Sequence, residues 1–308
     1  MKYAPILLFT YNRPKHTIKT IESLKDNILA IHSNLFIYSD GPKSEEDSHL
    51  VNEVRKFIYN ITGFKEVKII KRDINFGLSK NIINGVTEMC NKYGKVIVLE
   101  DDLITSPYFL NFMNDGIDLY HNKHNVSSIH GYVYPTSFNL PNNFFIKGAD
   151  CWGWATWSSA WSHFEIDGAK LLKEIECNKL QKTFNFDNTF DYYQMLQDQV
   201  NGKNDSWAIR WYASTFLKNM YTLYPGKSLI TNFGFDNTGT HSGKTKMFKQ
   251  SFYNNKIIIK SIPIEQSKIA YNAFIKYFKK NKLYSSKFRR YIKKYIPLFI
   301  FKLVKKIY

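Results

Sequence analysis

Three consecutive carboxylates, Glu100-Asp101-Asp102, directly follow the short apolar run of residues 96–99. The run is typical of a buried parallel strand, and negative charge clustered at its carboxyl end is unfavourable unless a cation or a proton-transfer task compensates. Mg²⁺ and Mn²⁺ bind carboxylate oxygens and often bridge them to phosphates, and open α/β sheets bind ligands beyond the carboxyl ends of their strands. The sequence therefore predicts a divalent-metal and phosphorylated-ligand site at Asp101 and Asp102. The alternative is that both aspartates only cap a helix that begins near Pro107.

The first half of the chain alternates strand and helix patterns. Apolar runs predict strands over residues 4–9, 35–39, 67–71 and 96–100. Apolar residues at three- and four-residue steps predict helices over residues 14–25, 45–59 and 78–92. Four such units predict an α/β protein with a doubly wound, mostly parallel sheet. Polar segments follow all four strands, which is unexpected if each segment were only a helix cap.

The alternation breaks after residue 120. Short strands are predicted over 126–130, 144–146 and 222–224, and helices over 169–200 and 206–218. A segment rich in Gly, Asn and Thr at 232–246 is predicted to be a long loop, of the kind that often carries function.

Positive charge is concentrated in the last part of the chain. Residues 266–308 contain 13 of the 43 Lys and Arg and none of the 26 Asp and Glu, so the rest of the chain is nearly neutral. Aromatic residues alternate with these basic residues at helical steps, which predicts a basic amphipathic helix on an anionic membrane surface, interrupted near Pro297. The alternative is a tail packed on the body with a solvated basic face. The near-neutral body argues against a nucleic-acid-binding protein, which the sequence pI of about 9.5 would otherwise suggest.

The cysteines indicate a reducing compartment. The three cysteines are widely spaced and form no CxxC pair, so neither a zinc site nor a disulfide framework is expected. We also expect no signal peptide and no membrane-spanning helix, because no apolar stretch approaches ~18 residues.

Four strand-end segments together resemble the GT-A-fold nucleotide-sugar glycosyltransferases, over roughly residues 4–245. The segments are Phe9-Thr10-Tyr11-Asn12-Arg13-Pro14, Ser39-Asp40-Gly41, Asn75-Phe76-Gly77-Leu78 and Leu99-Glu100-Asp101-Asp102. The acidic triplet is most similar to the variant of the DxD motif in inverting N-acetylglucosaminyltransferase-I-like enzymes. The set also resembles bacterial family-2-type sugar transferases of surface polysaccharide pathways.

The resemblance implies a GT-A fold with a doubly wound, mostly parallel, Rossmann-like sheet. Its nucleotide-sugar-binding half would comprise residues 1–125 and its acceptor-binding half residues 126–265, followed by the basic helical tail at 266–308. On the donor side it implies nucleotide-sugar-binding residues at the strand ends, namely Thr10, Tyr11, Arg13, Asp40, Arg72, Asn75 and Asp101. Asp40 would accept an N–H of the base, Arg72 would face the diphosphate, and Asp101 would contact ribose or sugar.

The resemblance also implies a metal and a general base. Asp102 would bind Mn²⁺ or Mg²⁺ bridging the two phosphates, and His241 in the late loop would return to the metal or the diphosphate. Asp205 would take the proton of the acceptor hydroxyl, as an acidic residue just before a tryptophan and a helix. The alternatives are a helix N-cap for Asp205, an ordinary surface residue for His241, and Asp198 as the base.

Acceptor-side residues are predicted around a tryptophan cluster. Trp152 and Trp154 could stack on the apolar faces of sugar rings, and Asp150 could accept from sugar hydroxyls. The spacing of these tryptophans is equally that of core packing.

These expectations combine into a metal-dependent inverting glycosyltransferase. It would move a sugar from a nucleoside-diphosphate sugar, with a UDP-sugar preferred, to a glycan or lipid-linked acceptor in bacterial surface polysaccharide biosynthesis. It would be cytoplasmic and peripheral on the inner face of the membrane, and would bind no nucleic acid. The alternatives are a nucleic-acid-binding protein and a sugar-1-phosphate nucleotidyltransferase. The latter normally has a glycine-rich basic loop after its first strand, whereas residues 10–14 contain no glycine.

Overall fold

The computed structural model describes residues 2–236 and 247–295. Its strands are β1 Ile6–Thr10, β2 Asn34–Ser39, β3 Glu66–Lys71, β4 Lys95–Glu100, β5 Leu103–Thr105, β6 Val126–His130, β7 Asn143–Ile146, β8 Trp154–Trp157, β9 Tyr221–Pro225 and β10 Ile230–Asn232. Its helices are α1 Pro14–Lys25, α2 Glu45–Ile58, α3 Leu78–Tyr93, α4 Phe109–Tyr120, α5 Ser158–Trp161, α6 Gly168–Cys177, α7 Gln181–Phe184, α8 Tyr192–Val200, α9 Trp207–Leu217 and α10 Lys268–Tyr295. A 3₁₀ turn covers Ala30–His32.

A central sheet of eight strands organises the described part of the chain, in the order β3-β2-β1-β4-β8-β6-β9-β7. Six of these strands run in the same direction, and β8 and β7 run against them. The α/β class and the mostly parallel sheet are therefore confirmed. The carboxyl ends of β1, β2, β3 and β4 meet at one edge, as the sequence predicted.

Strands β1 and β2 are buried on both faces, whereas the edge strand β3 is partly exposed. Every residue of β1 and β2 is buried, and the helices that cover them turn an apolar stripe inward. Helix α3 buries Ile82, Val86 and Met89 at helical steps and ends at Gly94, whose φ of 76° is the left-handed conformation that favours glycine. Local pattern and tertiary burial thus agree in this half, which fixes the strand ends firmly.

Two expectations for the second half were wrong. The continuous helix predicted over residues 169–200 is three helices, α6, α7 and α8. Lys179 and residues 186–188 interrupt it with positive φ values of 47–61°, a conformation that no helix interior contains. In addition, β8 was missed, and it inserts antiparallel between β4 and β6.

The start of the tail packs on the body. Ala270, Phe274 and Phe278 of α10 are buried, and the rings of Phe274 and Phe278 contact the Tyr134 ring edge-to-face, each with 4.9 Å between ring centroids. The packing alternative therefore applies to this first stretch of α10, whereas Pro297 lies outside the described residues. Within the described ranges, no helix is both long and apolar enough to span a membrane.

Candidate active site

A cavity of about 500 Å³ lies beyond the carboxyl ends of β1, β2 and β4. Nine of the predicted site residues border it, namely Thr10, Tyr11, Arg13, Asp40, Asn75, Asp101, Asp102, Trp152 and Asp205. Among the residues that the structure describes, Arg72, Asp150 and Trp154 do not border it. His241 lies outside the described residues. The strand ends and one helix start from the second half thus share a single cavity.

Arg13 joins the first strand end to the acidic segment. It is the last residue before α1, and its Nη2 donates to Asp101 Oδ1 and, at 3.1 Å, to Asp102 Oδ2. Burial by itself lowers the pKa of the guanidinium, but attraction by Asp101 and Asp102 outweighs it and raises the pKa. Arg13 therefore stays charged and neutralises the two aspartates, and its bond to Asp101 spans 88 residues of sequence.

The acidic segment is strongly desolvated. Burial, with the nearby charges of Asp102 and Asp101, raises the pKa of Glu100 to about 8. Burial also raises the pKa of Asp101, and the Arg13 guanidinium opposes that shift. Such perturbed carboxyl groups lining a cavity are typical of functional sites.

Several buried polar atoms around the cavity lack a protein partner. In the described ranges, Thr10 Oγ1, Arg13 Nη1 and Asp101 Oδ2 have no partner with ordinary hydrogen-bond geometry. Buried polar groups are normally hydrogen-bonded, so unpartnered ones beside a cavity indicate that a ligand, ion or water completes them.

Asp40 ties two loops together. Its Oδ1 accepts from the backbone N–H of Gly41 and Phe76, and its Oδ2 accepts from Gly77 N–H at 3.0 Å and Asn75 Nδ2 at 3.2 Å. Four donors already occupy this carboxylate, which makes it the organiser of the loop before α3. Contact with a base N–H stays a prediction, which these four bonds do not favour.

Tyr11 is held by a residue that the sequence did not reveal. Its hydroxyl donates to Asp47 Oδ2 at 2.7 Å, while Asn12 Nδ2 donates to Asp47 Oδ1 at 2.7 Å. Burial and the bond to Asp47 raise the pKa of Tyr11 to about 12. Asp47 lies in the first turn of α2, where acidic residues commonly serve the helix itself, so local sequence gave no signal of this second role.

Arg72 is turned away from the cavity. Its guanidinium carbon lies 4.6 Å from the centroid of the Phe76 ring and 5.5 Å from that of Tyr38. Its Nε donates to Asn81 Oδ1 at 3.3 Å. Cation–π stacking on Phe76 accounts for this orientation, and the basic side chains that border the cavity in the described ranges are instead Arg13 and Lys43.

Asp205 stands at the start of α9 but does not cap it. The N-cap is Ser206, whose Oγ accepts from Ile209 N–H at 3.2 Å, so the capping alternative for Asp205 was wrong. The Asp205 side chain is 72% exposed, and its Oδ1 accepts from Arg210 Nη2 at 3.1 Å. Asp198, the fallback, pairs instead with Lys203 at 3.3 Å, and it does not border the cavity within the described residues.

Trp152 and Trp154 have different environments. The Trp152 ring borders the cavity and meets the Tyr132 ring edge-to-face at 4.8 Å. Its backbone N–H donates to Nε2 of buried His130, and burial lowers the pKa of His130 to about 3, which keeps the ring a neutral acceptor. Trp154 is only 1% exposed and stacks on Trp207 at 5.3 Å, so the structure places it in the core.

Asp150 is enclosed by tyrosines. It accepts from the hydroxyls of Tyr134 at 2.8 Å and Tyr224 at 2.7 Å. Burial raises its pKa, and these two hydrogen bonds oppose the shift. Sugar-hydroxyl contact by Asp150 stays a prediction, since both of its oxygens already have a donor.

The segment after β10 is pinned against the acidic segment. Strand β10 pairs antiparallel with β5, and Phe233 N–H donates to Asp102 O at 3.0 Å. The Phe233 ring stacks on His16 with 4.9 Å between centroids. A Cβ added to Gly234 would lie 2.7 Å from Asp102 Cγ, so any larger residue here would displace this carboxylate from its present rotamer. The sequence signalled a functional loop here but not which of its residues touch Asp102.

A divalent metal fits this site only if a ligand shares it. The described ranges contain no group of three or more His, Cys, Asp or Glu placed to hold a metal on their own. Asp102 borders the cavity and Asp101 retains an unpartnered oxygen. Mg²⁺ commonly takes only one or two carboxylates and completes its shell with phosphates and water, so the residues present suit that arrangement.

The sequence matches no known family model and no curated protein. Solved structures resemble the fold only distantly. A mannosyltransferase from Pyrobaculum calidifontis, in complex with GDP-Man and Mn²⁺, has a TM-score of 0.30 and 11% identity, covering 43% of this chain and 36% of its own. S. aureus TarS has a TM-score of 0.36 and 12% identity, covering 62% and 33%. A UDP-glucose pyrophosphorylase complexed with UDP-glucose has a TM-score of 0.36 and 11% identity, covering 72% and 90%.

The match spans only about a third of the mannosyltransferase and of TarS. At TM-scores this low, the likenesses carry no argument about what the chain does. The geometry of the site is therefore the basis for its function.

Proposed function

We propose that this chain is a metal-dependent inverting glycosyltransferase, which moves a sugar from a nucleoside-diphosphate sugar to an acceptor hydroxyl. The observation that carries the proposal is the shared cavity, which brings Asp102, Arg13 and the exposed carboxylate of Asp205 together. Inverting transfer needs these kinds of group: charge stabilisation for a departing diphosphate and a carboxylate that can accept a proton.

The donor would occupy the strand-end side of the cavity. A volume of about 500 Å³ is within the range of small-ligand sites. Thr10, Tyr11 and Asn75 would line the nucleoside, and the unpartnered Nη1 of Arg13 would donate to a phosphate oxygen. Asp101 Oδ2, which has no donor with ordinary hydrogen-bond geometry in the described ranges, would accept from a ribose or sugar hydroxyl. A UDP-sugar is the preferred donor.

Asp205 would act as the general base. Its carboxylate would take the proton of the acceptor hydroxyl while that oxygen attacks the anomeric carbon. The bond from this carbon to the diphosphate would break with its electron pair on the phosphate oxygen, and the configuration would invert. A divalent metal held by Asp102 would offset the charge that develops on the leaving diphosphate.

The acceptor would approach past Trp152, whose half-buried ring offers an apolar face to a sugar. A glycan or lipid-linked acceptor of bacterial surface polysaccharide synthesis is proposed. A location on the inner face of the cytoplasmic membrane is proposed from the basic amphipathic pattern of residues 266–308.

The first test is a thermal-shift panel of UDP, GDP, dTDP and CMP, each with Mn²⁺ or with EDTA. We expect one nucleotide to raise the Tm only with metal, and the matching nucleotide sugar to be hydrolysed slowly. Asp102→Asn should remove the metal-dependent shift, whereas Asp118→Asn, a matched control at an exposed site on α4, should retain it. No shift with any nucleotide would contradict the proposal. Release of pyrophosphate from a nucleoside triphosphate and a sugar 1-phosphate would instead support a nucleotidyltransferase.

A further inference from the structure

The most unusual feature of the cavity is the position of the Arg13 guanidinium. One nitrogen, Nη2, serves both Asp101 Oδ1 and Asp102 Oδ2, and the Arg13 and Asp102 side chains are each only 15% exposed. A guanidinium fork usually engages a carboxylate or phosphate with two nitrogens. Here the second nitrogen, Nη1, is buried and has no hydrogen-bond partner in the described ranges.

Arg13 and a divalent metal would compete for the same carboxylate. A metal at Asp102 would share a carboxylate whose Oδ2 already accepts from Nη2, and it would place two positive charges close to the guanidinium. In a desolvated site such repulsion is large, because little water screens it. The loop at Gly234 further limits the directions from which Asp102 can be approached.

A diphosphate would relieve this competition. Its oxygens accept from a guanidinium as readily as a carboxylate does, and they offer Nη1 the partner that it lacks. Contact with phosphate would draw the guanidinium from Asp102, and the same phosphate oxygens would complete the metal's shell.

We infer that Arg13 is an exchangeable counter-cation of the acidic segment, which keeps divalent-metal affinity low until a diphosphate arrives. The identity of the diphosphate rests on the proposed function. The competition between Arg13 and the metal does not, since it follows from the ion pairs alone. By linkage, metal and diphosphate then bind cooperatively, each strengthening the other.

The test measures Mn²⁺ binding to the nucleotide-free protein by titration of the free-Mn²⁺ EPR signal. Arg13→Gln removes the competing charge, and Lys15→Gln removes an equal charge from an exposed position in the first turn of α1, two residues further along. We expect Arg13→Gln to bind Mn²⁺ roughly tenfold more tightly than the natural protein. Lys15→Gln should bind Mn²⁺ as the natural protein does.

A second readout covers the case in which Arg13→Gln is unstable without metal, because it leaves two buried carboxylates uncompensated. Mn²⁺ should then raise the Tm of Arg13→Gln far more than that of the natural protein, with Arg13→Lys in between. Equal or weaker Mn²⁺ binding by Arg13→Gln, with an equal Tm response, would overturn the inference. That result combined with metal-dependent nucleotide binding would leave the proposed function intact. Tighter Mn²⁺ binding by Arg13→Gln without any nucleotide binding would support the inference about Arg13 and contradict the proposed function.

Discussion

The two halves of the sheet edge differ in how far the protein itself supplies hydrogen-bond partners for their charged groups. At the ends of β1 and β4, Arg13, Asp101 and Asp102 form a charged cluster that borders a cavity and retains unpartnered atoms. In the half formed by β6, β7 and β9, the carboxylate of Asp150 accepts from the hydroxyls of Tyr134 and Tyr224, and the Tyr134 ring packs on Phe274 of α10. That half also borders a cavity of about 350 Å³. Among the described residues that line it, Lys227 is the one with a charged side chain.

The difference separates binding groups from structural ones. A buried polar network whose members satisfy each other stabilises a fold, whereas one left incomplete is unfavourable until something completes it. Asp150 and Asp101 are the same residue type, and burial raises the pKa of both. They differ in hydrogen-bond partners: both oxygens of Asp150 have a donor, whereas Asp101 Oδ2 has none in the described ranges. We therefore expect a ligand to bind at the first half.

The largest expected effect comes from Asp205, where the second half reaches into the charged cavity. Asp205→Asn removes the proposed proton acceptor but keeps the shape of the side chain. We expect kcat to fall roughly 10²–10⁴-fold, the usual contribution of a general base. The metal-dependent Tm shift with nucleotide should not change. The measurement is initial-rate kinetics with the donor found in the nucleotide panel.

Asp198→Asn is the matched control. Asp198 forms an ion pair with Lys203, as Asp205 does with Arg210, but in the described ranges it does not border the cavity. Unchanged turnover in Asp205→Asn, or an equal loss in both variants, would remove Asp205 from the role of base.

A smaller effect is expected from Gly234→Ala, which tests how closely the second half confines Asp102. The new Cβ would overlap the Asp102 carboxylate and force that side chain to another rotamer. We expect metal-dependent nucleotide binding to weaken about tenfold, with little change in unfolding free energy because a flexible side chain can yield. Isothermal titration with the preferred nucleotide and Mn²⁺ measures the change.

Gly168→Ala is the steric control for this substitution. Its Cβ would meet the end of the Gln199 side chain, with Gln199 Cδ at 3.2 Å, at the start of α6 and away from the cavity. Nucleotide affinity lowered equally by both alanines would show that the Asp102 contact is not the cause.

The first half of the molecule was predictable because local signals and burial agree there. The predicted strand over residues 96–100 and the observed β4 differ by one residue, and Pro14 begins α1 as expected. Polar residues at parallel strand ends must meet at one edge, so most of the cavity followed from element order alone.

The remainder depends on contacts that no local pattern encodes. The bond from Arg13 to Asp101 spans 88 residues, and Arg72 faces the Phe76 ring rather than the cavity. In the second half, β8 lies between strands that are distant in sequence, and its tryptophans suit a strand or a helix equally well. The break of residues 169–200 into three helices depends on non-glycine residues in left-handed conformations, and residue type alone does not predict these conformations.

The smallest effects come from two matched substitutions that each remove one tyrosine hydroxyl from a carboxylate. Tyr224→Phe removes a donor from Asp150, whose pKa is raised by burial, and Tyr11→Phe removes one from Asp47, whose pKa is lowered by its hydrogen bonds to Tyr11 and Asn12. A hydrogen bond to a charged group contributes about 1.5–3 kcal/mol, and its loss costs more where the carboxylate left without a donor is desolvated. We therefore expect Tyr224→Phe to lower the unfolding free energy more than Tyr11→Phe, measured by urea denaturation.

The pH dependence of the difference identifies its cause. Burial holds the folded-state pKa of Asp150 above its ordinary value of 3.8, so its ionisation lowers stability as the pH rises through the folded-state pKa. Loss of the Tyr224 hydroxyl raises that pKa further, which makes the loss of stability on raising the pH larger. The deficit of Tyr224→Phe should therefore be smallest in acid and grow towards neutral pH. A deficit independent of pH would mean that ring packing, and not the charge of Asp150, accounts for the effect, and the contrast between the closed and open halves would then not rest on charge.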